Sequence, residues 1–234
     1  DEIVMWRDKF DQFVADMAQN EGVEILLNHQ FIGFNGKQSV KIKDKKSDKI
    51  EEIKTDVIVG ADGPYSAVAK AASIDSNSRH YIGMQAKVKL SMDTSAFETY
   101  FGTDFPDFFG WCVPESDGIV RLGIGCFENA QHYFYKFIKN RPGNTDILCW
   151  ESVLIPLYNP KKIIQKDNIY LIGDAATQVK ATTLGGIIPG MKAAEILARS
   201  FQNGMNYSAD LRHLRFQLWL HLQIRKVFDR FSDA

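Results

Sequence analysis

"LIGDAATQVKATTLGGIIPG", residues 171–190, decides how this chain is read. An apolar run ends at Gly173, an acid follows at Asp174, and about a dozen residues later Gly185 and Gly186 precede a helical pattern with Pro189 in its first turn. Proline is tolerated there because its missing N–H would have no partner anyway. A strand that ends in an acid places a carboxylate at the C-terminal edge of a sheet, where open α/β folds bind ligands. Two glycines before a helix allow close backbone approach, and the helix N-terminus favours negative charge. The same residues also describe a tight turn packed under a helix.

Upstream, "DVIVGADGPYSAVAK" (56–70) repeats the arrangement: a strand at 56–60, a turn at Asp62-Gly63-Pro64, and Ser66 in position to cap the next helix. That too occurs as an ordinary strand-to-helix turn. Taken as a site, the 171–190 stretch suits a cofactor with a polyhydroxyl chain and a ring that becomes anionic on reduction, as flavin does.

The remaining chain predicts mixed structure. Phe10, Phe13, Val14, Met17 and Ala18 recur at helical spacing up to Gly22. "VEILLNHQFIGFNGK" (23–37) reads as a strand ending at an Asn-Gly turn, and the lysine-rich stretch after it as an exposed hairpin. Residues 81–124 are strand-like, "ENAQHYFYKFIKN" (128–140) is a short helix, and "SVLIPLY" and "NIYLI" are further strands. Helices are expected over 187–202 and 207–231. The expected fold is α/β (α+β): a parallel-sheet domain interleaved with an antiparallel-sheet domain, plus a C-terminal helix.

Composition sets limits. The 234 residues are 45% hydrophobic and 24% charged, with a formal net charge of −1. That is ordinary for a globular chain with a sizeable core, and it carries no basic footprint for nucleic acid. Cys112, Cys126 and Cys149 lack zinc-ligand spacing and read as free thiols, so no metal is expected. No apolar run approaches the ~20 residues that cross a bilayer. The expected location is cytoplasmic, either free or peripheral on the cytoplasmic membrane.

Together the motifs carry a resemblance. "DVIVGADGPYSAV" and "NIYLIGDAA" resemble the Asp-Gly and Gly-Asp motifs of the FAD-dependent hydroxylase superfamily. Within it, "GDAATQVKATTLGGI" is similar to the GDAAG-x-V-x-P-T-T-G-G-G-I stretch of the geranylgeranyl reductase family, archaeal digeranylgeranylglycerophospholipid reductases among them. "PDFFGWCVP" (106–114) resembles that family's P-x-x-Y-x-W-x-F-P, "WRDKFDQFVADMAQNEGVEI" its R-x-x-F-D helix, and "LWLHLQIRKVFDRFSDA" its last helix. Such proteins open with a βαβ unit bearing G-x-G-x-x-G, which has no counterpart here. The expectation is therefore a fragment beginning about one such unit in, rather than a protein that has lost its main dinucleotide site.

The resemblance implies FAD as cofactor, with Asp174 and Gly173 at its ribityl and pyrophosphate part. It implies Gly185, Gly186 and Ile187 at the flavin pyrimidine edge, and Asp62 and Gly63 near the pyrophosphate. Arg7 matches an FAD-contacting arginine and Phe31 a position whose backbone touches adenine. A surface salt bridge and a plain core phenylalanine are the alternatives. Phe109, Trp111 and Pro114 are implied to wall a lipid cavity, although an aromatic strand is also simple core. The implied domains are 1–75 with 160–202 for FAD, 76–159 for substrate and 203–234 as a C-terminal helical segment.

The implied reaction saturates geranylgeranyl chains of lipids by hydride transfer from reduced flavin, with NADPH or another reductant as transient electron donor. The rivals are an FAD monooxygenase or halogenase and a non-catalytic lipid-binding member. Ala181, Leu184 and Phe109 depart from the family's proline, first glycine and tyrosine. No proton donor is identified. The basic, amphipathic C-terminal helix suits either a membrane surface or packing on the core.

Overall fold

The computed structural model describes residues 5–74, 78–90, 92–93, 95–116, 118–141 and 146–229. Two compact units divide between Thr55 and Asp56.

The first unit opens with α1 (Arg7–Asn20), which ends at Gly22, where the amides of Gly22 and Val23 return to the Gln19 and Ala18 carbonyls. Strands β1 (His29–Phe34), β2 (Ser39–Asp44) and β3 (Ile50–Lys54) form an antiparallel meander. The expected hairpin tip is present: the Asp44 carboxylate accepts from the Lys46 amide and the Ser47 hydroxyl. The expected strand over 23–37 is shorter than its apolar run. Asn28 takes a left-handed turn at φ +61° and the ladder starts only at His29, so Leu26 and Leu27 lie exposed ahead of it. Asn tolerates that turn, and an apolar run without a pairing partner does not make a strand.

The second unit begins with β4 (Ile58–Gly60) and α2 (Ala67–Ala71). Ser66 caps α2 as expected, its hydroxyl accepting from the Ala69 amide at 2.9 Å. Next come β5 (His80–Lys89), β6 (Glu98–Tyr100), β7 (Gly110–Ser116), β8 (Ile119–Cys126), α3 (Ala130–Lys139) and β9 (Asp146–Pro156). These strands form one antiparallel sheet in the order β6-β7-β8-β5-β9. Period-2 alternation turns Met84, Ala86, Val88, Cys112, Val120, Leu122 and Ile124 to one face, where Ala130, Phe134 and Phe137 of α3 complete a buried core.

The chain then returns through β10 (Gln165–Lys166) and β11 (Ile169–Leu171), and β11 pairs in parallel with β4. A short 3-10 turn at Gly173–Ala176 leads toward α4 (Ile187–Asn203), α5 (Tyr207–Asp210) and α6 (Arg212–Phe228). The antiparallel sheet is thus inserted between two strands that pair with each other, which is the interleaving expected from sequence. The helix expected over 207–231 is interrupted at the fully buried Leu211, and its last two residues lie outside the described ones. No helix among the described residues is long and apolar enough to cross a membrane.

Candidate functional site

The parallel pairing of β4 with β11 sets Ile58 beside Ile169, Val59 beside Tyr170 and Gly60 beside Leu171. Both strands therefore end at one sheet edge. The Asp62-Gly63 turn leaves one of them and the Gly173-Asp174 turn leaves the other. In the first, the Asp62 carboxylate accepts from the Val68 amide at 3.0 Å, anchoring the start of α2, and Gly63 turns the chain at φ +84°.

The second turn is locked from below. The Gly173 amide donates to Gln178 Oε1 at 2.7 Å, Gln178 Nε2 donates to the Tyr207 hydroxyl at 3.4 Å, and that hydroxyl donates to the Leu171 carbonyl at 3.1 Å. Gln178 is buried, and burial pushes the Tyr207 phenol up to about 12. Neither residue stood out in the sequence, because a lone Gln and a Tyr 29 positions later show no pattern until the chain folds.

The helix start meets this turn. Gly186 has no side chain with which to cap α4, so the helix start lies directly beside the Asp174 carboxylate. A Cβ on Gly186 would lie 2.8 Å from Asp174 Oδ1, so only glycine lets the helix start approach the carboxylate this closely. Leu184 stands where the family pattern has glycine, and it keeps a glycine-like backbone at φ +54°. Such a conformation costs a branched side chain about 1–2 kcal/mol. Its Cδ1 fills the space over Gly125, 3.0 Å from where a Cβ there would sit.

These residues fit FAD. A carboxylate able to accept from ribityl hydroxyls, a second strand-end turn beside it, and helix amides for an anionic ring edge stand together, with no Cβ filling the space at Gly186. Asp62, Gly63, Gly173, Asp174, Gly185, Gly186 and Ile187 all belong to this unit. Arg7 and Phe31 belong to the first unit. There Arg7 forms an exposed ion pair with Asp11 at 3.0 Å, and Phe31 stacks edge-on with Phe34 at 5.0 Å between ring centres.

Beyond the turn lies a cavity of about 880 Å³. Phe101, Phe105, Phe108, Phe109, Phe127 and Phe228 supply its apolar wall, and Thr182, Asp107 and Asp229 also line it. Two guanidinium groups lie against the rings: Arg79 is 3.4 Å from the Phe127 centroid and Arg225 is 5.2 Å from that of Phe108. Among the implied substrate residues, Phe109 lines the cavity. Trp111 meets Phe109 edge-on at 6.1 Å and lies flat over Gly123. Pro114 pairs with Val120 and shares the Cys112 face of β7, opposite Trp111. Cys112 itself is fully buried in the α3-covered core, and burial pushes its thiol up to about 12.

Comparison with known proteins agrees with this architecture. The chain is 29% identical to the digeranylgeranylglycerophospholipid reductase of Methanococcus vannielii, over all of this chain and 66% of that protein. It is 27% identical to digeranylgeranylglycerophospholipid reductase 1 of Methanothermobacter thermautotrophicus, over 86% of this chain and 55% of that one. This chain thus spans between half and two thirds of the length of these relatives. Among solved structures, a geranylgeranyl bacteriochlorophyll reductase-like protein from Thermoplasma acidophilum superposes with a TM-score of 0.79 at 21% identity, covering 97% of this chain and 64% of that one. A flavin-dependent halogenase superposes at 0.76 and 15% identity, over 97% of this chain and 47% of its own. These two similarities establish the shared fold. The profile of the FAD binding domain matches residues 4–144, more than half of the sequence, and the chain belongs to that family.

Proposed function

We propose that this protein is an FAD-dependent reductase that saturates double bonds in the geranylgeranyl chains of lipids. One observation carries the reading: two strand-end acidic turns share one sheet edge with a glycine-started helix, and the loop leading to that helix supplies Thr182 to the wall of a phenylalanine-rich cavity. The names of the archaeal relatives support the lipid substrate.

Bound FAD, once reduced by NADPH or another electron carrier, supplies the hydride. An isolated alkene offers no carbonyl to polarise, so the chain's own task is to hold the prenyl segment, exclude water and deliver a proton. Asp174 accepts from the cofactor's hydroxyls, with Gly173, Asp62 and Gly63 beside its phosphates. The amides at Gly186 and Ile187 stabilise negative charge on the reduced ring. Phe109 and the neighbouring rings hold the apolar chain. Residues 1–75 with 160–202 form the FAD domain, 76–159 serves the substrate, and 203–234 is a C-terminal helical segment. The protein works in the cytoplasm; α6 packs Leu214, Leu218 and Leu222 inward, and its outer face, with Phe216, Trp219 and Leu220 exposed, is the surface available for peripheral contact with a lipid-bearing membrane.

The test is anaerobic incubation of the intact, chemically reduced flavoprotein with a geranylgeranyl lipid, read by mass spectrometry. Gains of one H2 per double bond are expected. Unchanged lipid across several lipids and donors would overturn the reading, and oxygen consumption with a hydroxylated or halogenated product would favour the monooxygenase fold relatives instead.

A further inference from the structure

Thr182 belongs to two surroundings at once. It lines the aromatic cavity, and its Oγ1 lies 2.7 Å from Nδ1 of His221 on α6. His221 lines a different pocket, of about 270 Å³, together with Lys180, Pro189, Lys192, Leu214 and Gln217. Thr182 is not part of that second pocket and His221 is not part of the cavity. The hydroxyl–imidazole contact is therefore a polar bridge between two spaces, one that also carries Arg79, Asp107, Arg225 and Asp229 and one that also carries Lys180, Lys192 and Gln217.

We propose that Thr182 and His221 form a proton relay into the cavity, with Thr182 as the group that protonates the substrate carbon and His221 as the positioned source behind it. The inference rests on the reductase reading and deepens it, since hydride addition to an alkene is incomplete without a proton.

The steps balance. The alkene π bond opens. One carbon takes the hydride that the cofactor supplies, and its neighbour takes the proton of the Thr182 hydroxyl. The alkene is reduced by two electrons at the cofactor's expense, while Thr182 and His221 undergo no redox change. Thr182 Oγ1 recovers a proton from Nδ1 of the His221 imidazolium, which becomes the neutral Nε2–H tautomer. Water in the second pocket then reprotonates the ring. Geometry makes the imidazolium the working form. With a proton on Nδ1, His221 donates to Oγ1 and frees the Thr182 O–H to point into the cavity. Without it, Nδ1 accepts from Thr182 and holds that proton back.

The charged groups around His221 set its titration. Lys180 from the loop before α4 and Lys192 from α4 face it across the pocket. On its own helix, Arg225 stands one turn on, paired to Asp229, while Gln217 and His213 stand one and two turns back. Burial, with Lys180 adding repulsion, holds the imidazole below the 6.5 of a free ring. A base whose conjugate acid is weakened in this way gives up its proton readily. The relay should therefore lose effect as pH rises through the lowered value.

The test uses the intact flavoprotein in single turnover with a geranylgeranyl lipid, over pH 5 to 8, for wild type, Thr182→Val, Thr182→Ser and His221→Gln. General acid steps are worth about 10²–10⁴ in rate. Thr182→Val and His221→Gln should each slow saturation about a hundredfold with FAD still bound, and Thr182→Ser should keep most of the rate. His221→Gln should also abolish the alkaline decline. Independently of turnover, the His221 ring resonance should titrate below 6.5 in wild type and at a different pH in Thr182→Val. If wild type saturates the lipid and His221→Gln keeps both rate and pH profile, the relay is refuted while the reductase reading stands. If wild type saturates nothing, the reductase reading fails and the relay with it. Should His221→Gln fail to fold, the contrast between Thr182→Val and Thr182→Ser decides.

Discussion

In the proposed function, cofactor binding turns on Gly186 and Asp174. A Cβ at Gly186 would lie 2.8 Å from Asp174 Oδ1, a separation that forces either the carboxylate or the helix start to move. Gly186→Ala in the intact protein should weaken FAD at least about tenfold, about 1.4 kcal/mol, and Asp174→Ala should release it; flavin fluorescence titration measures both. Normal affinity in Asp174→Ala would remove that residue from the site. Gln178 makes a different prediction. Replacing it with Leu strands the Gly173 amide and removes the bond to Tyr207, which costs about 1–3 kcal/mol. The urea midpoint should fall by that measure, and an unchanged midpoint would show that water replaces the side chain. That Asp174 and Gly186 lie together follows a local motif, within a dozen residues. Gln178 with Tyr207, and Thr182 with His221, were not legible, since their partners are 29 and 39 positions away and polar pairs carry no periodic signal.

Between elements, the contact of β7 with β8 shows how a small residue shapes the cavity side of the sheet. Trp111 pairs with Gly123 across the ladder, and a Cβ on Gly123 would sit 2.3 Å from the indole ring. Gly123→Ala should displace the indole and loosen its edge-on contact with Phe109. Overpacking of this kind costs about 1–3 kcal/mol. The near-UV circular dichroism of the tryptophans should change, and adding Trp111→Leu should restore the lost stability. Failure of the double variant to recover would mean that the glycine serves the strand backbone instead. Element identity was mostly readable here: 81–124 read as strands, and 187–202 and 207–231 as helices. Two readings needed the fold to correct them. The 23–28 run is apolar but unpaired, and the last helix is divided at the buried Leu211 into α5 and α6.

At the scale of the second unit as a whole, its core determines the response to alkali. Composition foretold a core of adequate size, but not which ionisable groups it would enclose. Tyr81 is stacked on Phe127 at 4.0 Å and buried, Tyr207 closes the lock under Gly173, and Cys112 and Cys126 sit beside Leu122 and Ile124. Burial pushes both phenols up to about 12, Cys112 to about 12 and Cys126 to about 11. In the unfolded chain thiols ionise near 9 and phenols near 10. Between those values and the folded ones, the native state binds more protons than the unfolded state. Stability is then fully present below pH 9 and declines as pH rises, by about 1.4 kcal/mol per pH unit for each group inside its window. Urea unfolding under reducing conditions should show little change from pH 7 to 8.5, a decline beginning near pH 9 from the thiols, and a steeper one above pH 10 as the phenols join. Cys112→Ala with Cys126→Ala, although less stable throughout from lost packing, should move the onset from about 9 to about 10. A flat profile to pH 11 in the wild type would mean that alkali reaches these side chains without unfolding the sheet.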